Sequence, residues 1–169
     1  MTPADFLPTL AEVAITIAGF TGLIVSVRRN RSKRLTEQEL FRVIATIGMC
    51  LIVVLSAILP YALSGLPVEE HYRWAAPLVL SASTTLILLM VMIRKLLAGG
   101  FVLIAPWITM PLIICVGILG LASLGSGLGL FLPYSSGLLV LHLGFALFAS
   151  AVTLVATLAI VIRSENESD

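Results

Sequence analysis

A chain of 169 residues in which 59% are hydrophobic and 11% charged lies far outside the range of soluble domains, where about half the residues are apolar and about a quarter charged. Its mean hydropathy of +1.12 calls for a polytopic membrane protein, and the length accommodates about five spans with no room for a separate soluble catalytic or nucleic-acid-binding domain. The formal net charge of +1 predicts no acidic partner, so the basic residues inform through their positions.

The first hydrophobic run, 6–27, carries a single acid, Glu12, and ends in a basic segment, Arg28, Arg29, Asn30, Arg31, Ser32, Lys33, Arg34. About 22 residues at 1.5 Å each cross a hydrocarbon core of about 30 Å. Asp5 is expected to cap this helix, which makes Pro8 harmless in the first turn, where backbone N–H groups have no helical partner. No basic segment precedes the apolar run, so the helix is expected to stay uncleaved.

Wound at about 100° per residue, the first helix has three faces. Thr9, Glu12, Thr16, Gly19 and Ser26 form a polar stripe. Ala11, Ala14, Ala18 and Gly22 form a small-residue stripe suited to close helix packing, and Val13, Ile17, Phe20 and Ile24 form a bulky face suited to lipid. An ionisable group is costly against acyl chains, so the Glu12 stripe is expected to face protein or water.

After the basic segment, Thr36-Glu37-Gln38-Glu39 has the form of a capping box and opens a second helix over about 38–63. Arg42 is placed either to snorkel toward the headgroups or to pair with Glu39. Ser64-Gly65-Leu66-Pro67 breaks that helix, and Pro67, Glu69 and Glu70 look like the first turn of a third, which crosses over about 74–95 behind an interfacial Trp74. Its Ser81, Ser83, Thr84 and Thr85 are expected to return hydrogen bonds to their own backbone. Gly99-Gly100 turns the chain into a fourth span, 103–124, with a bend expected near Met110 because Pro111 removes a backbone donor. Gly125-Ser126-Gly127-Leu128-Gly129 reads as an outer loop rather than a phosphate cradle, having neither the strand nor the downstream acid that a nucleotide site needs. A fifth span, 137–162, follows a cap at Ser135 or Ser136 and carries His142, Ala146, Ala149, Thr153 and Ala156 on one face. Cys50 and Cys115 lack metal or redox spacing and read as small core residues.

Placing the loop after the first helix in the cytoplasm puts nine of the ten basic residues inside and leaves Arg73 outside. The positive-inside rule then gives an outer N-terminus, five spans and an inner C-terminus, with Arg28, Arg29, Arg31, Lys33 and Arg34 facing the inner headgroups. The segment Ala11-Glu12-Val13-Ala14-Ile15-Thr16-Ile17-Ala18-Gly19-Phe20-Thr21-Gly22, with the basic loop and Leu59-Pro60 in the second span, resembles small uncharacterised bacterial multipass inner-membrane proteins over the first third of the chain. The resemblance implies a bacterial inner membrane and carries no activity.

Glu12 and His142 lie at matching depths if each helix is counted from its outer end, so the two groups are candidates to share a proton. The alternative is a structural hydrogen bond or no contact. No signature of a hydrolase, metalloprotease or nucleotide enzyme appears, and no cofactor is called for. The expected class is an all-α transmembrane bundle in contact with lipid bilayer and self-associating or joined to another membrane subunit. Two functions fit: a homo-oligomeric ion or proton channel or small transporter with Glu12, Thr16, Gly19, His142 and Thr153 along a polar path, or a non-conducting scaffold or accessory subunit. In either, Ala14, Ala18, Gly22, Ala146 and Ala149 pack helices.

Overall fold

The computed structural model describes residues 3–30, 36–98, 106–130 and 136–166. A 3-10 turn at Pro3–Phe6 leads into α1 (Leu7–Asn30), and α2 (Glu37–Ser64), α3 (Glu70–Leu97), α4 (Pro106–Gly127) and α5 (Ser136–Asn166) follow. All five helices are long and apolar enough to cross a membrane, and no strand occurs among the described residues. The protein is a multi-pass helical bundle.

The order of the helices in space follows from who touches whom. α1 packs on α2, α2 on α3, α3 on α4, and α5 touches all four, whereas α1 meets neither α3 nor α4 and α2 does not meet α4. Four helices thus form an arc with α5 along its inner side. α5 is not fully enclosed, because Leu141, Phe148 and Val155 remain exposed at seven-residue spacing, the period that returns a helix to nearly the same face. The core is built of Leu7 and Ala14 from α1, Cys50, Val53 and Ala57 from α2, Leu78 from α3, and Leu139, Leu143, Ala146 and Leu147 from α5. Large apolar side chains such as Ile15, Phe20, Ile44, Ile87 and Ile118 cover the outside, as expected of a surface whose solvent is hydrocarbon.

Local sequence sets the helix ends. At α2 the Thr36 N–H donates to Glu39 Oε2 (2.8 Å) and the Glu39 N–H donates to Thr36 Oγ1 (3.3 Å), the reciprocal capping box. Arg42, one turn on, is buried, with the Glu39 charge near it. Pro67 lies in the turn between α2 and α3 rather than in a first helical turn, and α3 starts at Glu70. Glu69 stands at the cap position without capping, its carboxylate instead 3.1 Å from His71 Nδ1. Pro77 sits buried inside α3, and the Ser81 hydroxyl donates to the Pro77 carbonyl at 2.8 Å. Ser135 lies outside the described residues, as do 99–105.

The glycine-rich stretch after residue 124 corrects the loop reading. α4 continues to Gly127, and Gly125, Ser126 and Gly127 are buried. A Cβ on Gly127 would stand 2.7 Å from Val79 Cγ2 and 3.3 Å from the Ala75 carbonyl oxygen, so glycine here lets α3 and α4 approach backbone to backbone. The helix stops just there: Gly129 has φ 72°, the Leu130 N–H donates to the Gly125 carbonyl and the Gly129 N–H to the Ser126 carbonyl, a Schellman stop that left-handed glycine makes inexpensive. Cys50 is buried as expected; Cys115 is exposed on the outside of α4.

Candidate functional site

Two polar regions emerge, one inside the bundle and one outside it. The inner region centres on His142, which α5 presents to α3 and α4 with 2% of its surface exposed. Its Nε2 lies 3.3 Å from Thr85 Oγ1 of α3, and the backbone of Ser81 and Leu119 flanks the ring. Space for the imidazole comes from Gly120 of α4, whose hypothetical Cβ would lie 4.0 Å from His142 Cε1 and 3.2 Å from Leu86 Cδ2. His142 Nδ1 and the Ser123 hydroxyl, both buried, make no hydrogen bond among the described residues. Ser81 and Thr84 return their hydroxyls to their own helix at 2.8 and 2.9 Å; Thr85 instead reaches across to α5. The expectation of local bonding therefore holds for two of the cluster and misses the one that joins two helices.

Farther along the same face of α5, Ala146 is buried, and Ala149, Thr153 and Ala156 line a cavity shared with α2, α3 and α4. Thr153 donates to the Ala149 carbonyl at 2.9 Å. Thr85 also borders this cavity, so His142, Thr85 and the Thr153 segment form one continuous inner surface.

The outer region is the polar stripe of α1. Thr9, Glu12, Thr16, Gly19, Gly22 and Ser26 are all exposed, and α1 is the least buried of the five helices. Thr16 donates to the Glu12 carbonyl at 2.9 Å; the Glu12 carboxylate has no partner among the described residues. A Cβ added at Gly19 or Gly22 would meet nothing within 4 Å. The side of α1 that packs is instead Leu7, Ala14 and Thr21, exposed 0%, 0% and 2%, with Thr21 donating to the Ile17 carbonyl at 2.7 Å.

The small-residue stripe is accordingly divided. Ala14 is buried, Ala18 half-buried and Gly22 exposed, because each four-residue step turns the helix by roughly 40° whereas a seven-residue step returns to within about 20°. Glu12 and His142 are not brought together: one is on the outside of α1, the other is enclosed by α3, α4 and α5. Of the basic segment, Arg28 and Arg29 end α1, with side chains outside the described residues, and Arg31, Lys33 and Arg34 fall outside them altogether. Among the described residues no three His, Cys, Asp or Glu side chains converge as a metal set. No protein-family model, curated protein or solved structure matches the chain.

Proposed function

We propose that the protein assembles through α1 into a homo-oligomeric ion or proton conduit of a bacterial inner membrane, with the N-terminus outside and the C-terminus inside. The observation that carries this reading is the position of Glu12: an ionisable side chain roughly 8 Å below the start of α1 on the outside of the bundle, on a stripe with Thr9, Thr16, Gly19 and Ser26. A carboxylate facing acyl chains is costly, by about 2.5–3.5 kcal/mol at the bilayer centre on insertion scales and by less nearer the surface. A neighbouring subunit or a water-filled path removes that cost, and Gly19 and Gly22, with open space above them, leave room for it. Inside the protomer the Thr153 hydroxyl is bonded to the Ala149 carbonyl and His142 to Thr85, and the cavity beside them has an almost wholly hydrocarbon wall, which favours a path between subunits over one through a subunit.

The orientation rests on the basic residues. Lys95 at the end of α3 meets Glu37 at the start of α2 at 3.3 Å, which gathers Arg42, Arg94 and Lys95 at one end of the bundle, the end to which α1 delivers Arg28 and Arg29. Reporter fusions active only outside the cytoplasm test this arrangement, with activity expected at the N-terminus and none at the C-terminus.

Conduction is tested by reconstituting purified protein into liposomes under a proton gradient reported by an internal pH-sensitive dye. Wild type is expected to dissipate the gradient and Glu12→Gln to change the rate and its pH dependence. Impermeable liposomes containing folded protein over roughly pH 5 to 8 support the other class, a non-conducting scaffold or accessory subunit that uses the same stripe for contact alone.

A further inference from the structure

We propose that the cavity lined by α2, α3, α4 and α5 at the basic end of the bundle binds one acyl chain of a membrane phospholipid, with the phosphate of that lipid held at Lys95. The cavity has a volume of about 180 Å³ and runs from Phe41 and Arg42 at the start of α2, past Met92 and Val152, to Thr85. It exists because the backbones of α2 and α4 stand apart and α3 meets α5 through Thr85 and His142 at its inner end. Protein interiors are otherwise close-packed, and atoms facing a void forfeit their contacts.

The wall decides what fills it. Its lining is almost entirely hydrocarbon, and the hydroxyls in it are engaged, Thr153 with the Ala149 carbonyl and Thr85 with His142. A cavity of this size and character stays dry and accepts an apolar guest. It is not fully closed, and every helix that lines it is long and apolar enough to cross a membrane, so the guest at hand is a lipid tail. The seven-residue steps Thr85 to Met92 and Ala149 to Ala156 each rise roughly 10 Å, which fits within one leaflet of a hydrocarbon core about 30 Å thick.

The rim supplies the charge that such a lipid needs. Lys95 lies one helical turn beyond Met92, with Nζ 4.7 Å above the centre of the Phe41 ring that forms part of the wall. Its carboxylate partner, Glu37, is 91% exposed, and an exposed pair of this kind is weak. Lys95 can therefore exchange that partner for a phosphate at the headgroup layer, where clustered cations attract anionic lipid; Arg94 beside it adds to the attraction. Arg42 also lines the mouth, with the opposite charge of Glu39 near it, so the headgroup is assigned to Lys95.

The test is retention of lipid by the full-length protein, reconstituted in phosphatidylcholine vesicles with and without phosphatidylglycerol, extracted in detergent and weighed by native mass spectrometry. Wild type is expected to keep one phospholipid per protomer, with phosphatidylglycerol preferred. Ala149→Phe and Ala156→Phe, which fill the cavity, are expected to lower retention about tenfold, and Val155→Phe on the outward face of α5 to leave it unchanged. Lys95→Gln should abolish the preference for phosphatidylglycerol while a chain is still retained. Circular dichroism and thermal melting verify folding, and Thr153→Leu replaces any phenylalanine variant that does not fold. Wild type without bound lipid, or folded filled variants that retain as much as wild type, overturns the cavity assignment; an unchanged preference in Lys95→Gln overturns the headgroup assignment.

Discussion

α1 and α5 have similar sequences in outline, each an apolar span with one ionisable residue at the head of a stripe of small and polar side chains, yet the bundle treats them in opposite ways. α5 touches four helices and turns His142 inward against Thr85. α1 touches two and turns Glu12 outward. A polar stripe on a membrane helix therefore identifies a surface that lipid should not cover without saying whether the cover comes from the same chain. For α5 the cover is intramolecular; for α1 we propose that another subunit supplies it.

The comparison makes its strongest demand on the interior. His142→Ala removes a buried ring and leaves the Thr85 hydroxyl facing a void, so it should destabilise the protomer by about 2–4 kcal/mol, seen as a lower midpoint in thermal or denaturant unfolding in detergent. Glu12→Gln, which alters an exposed side chain without a partner among the described residues, should change that midpoint by no more than about 0.5 kcal/mol. Similar losses from both would erase the distinction between the regions.

Within α1 the two sides can be set against each other in the same way. Ala14→Leu forces three extra heavy atoms into a fully buried position and should cost the protomer about 1–3 kcal/mol. Gly22→Leu has open space around it and should leave protomer stability nearly intact while lowering the oligomer fraction in chemical cross-linking. Gly127→Ala tests the other close approach, between α3 and α4, and is also expected to cost about 1–3 kcal/mol because its Cβ would meet Val79 and the Ala75 carbonyl.

A smaller effect checks the separation directly. Since Glu12 and His142 share no partner, the stability changes of Glu12→Gln and His142→Gln should add to within about 0.3–0.5 kcal/mol in the double mutant. The proton-sharing pair considered from sequence requires a coupled result instead. At the capping box, Thr36→Ala should cost about 1 kcal/mol, measured by unfolding, without affecting lipid retention or flux.

The spans were legible because length and hydropathy speak directly to bilayer thickness, and the start of α2 was legible because Thr36 and Glu39 cap each other locally. The face of α1 that packs was not, for a physical reason. In a soluble helix the buried side is the apolar side, but in a membrane the lipid is as apolar as the core, so Leu7 and Ile15 look alike although one is enclosed and the other exposed. Thr21, polar, is buried, and Gly22, small, is exposed, the reverse of what residue type suggests. Gly127 was hidden in a tract whose composition suggested a loop, and its role depends on Val79, nearly fifty positions away. The same holds for the Thr85 contact: residue type predicts a hydroxyl bonded to its own helix, and only the packing of α5 supplies the histidine.

The central claim is that the Glu12 face of α1 meets another copy of the chain, and cysteine cross-linking in native membranes tests it most directly. With Cys50 and Cys115 replaced by alanine, single cysteines at Thr16 or Gly19 should give covalent dimers on mild oxidation, and a cysteine at Phe148, on the exposed side of α5, should give none. Monomers alone from Thr16→Cys and Gly19→Cys, in protein shown to be folded and membrane-inserted, would contradict the account.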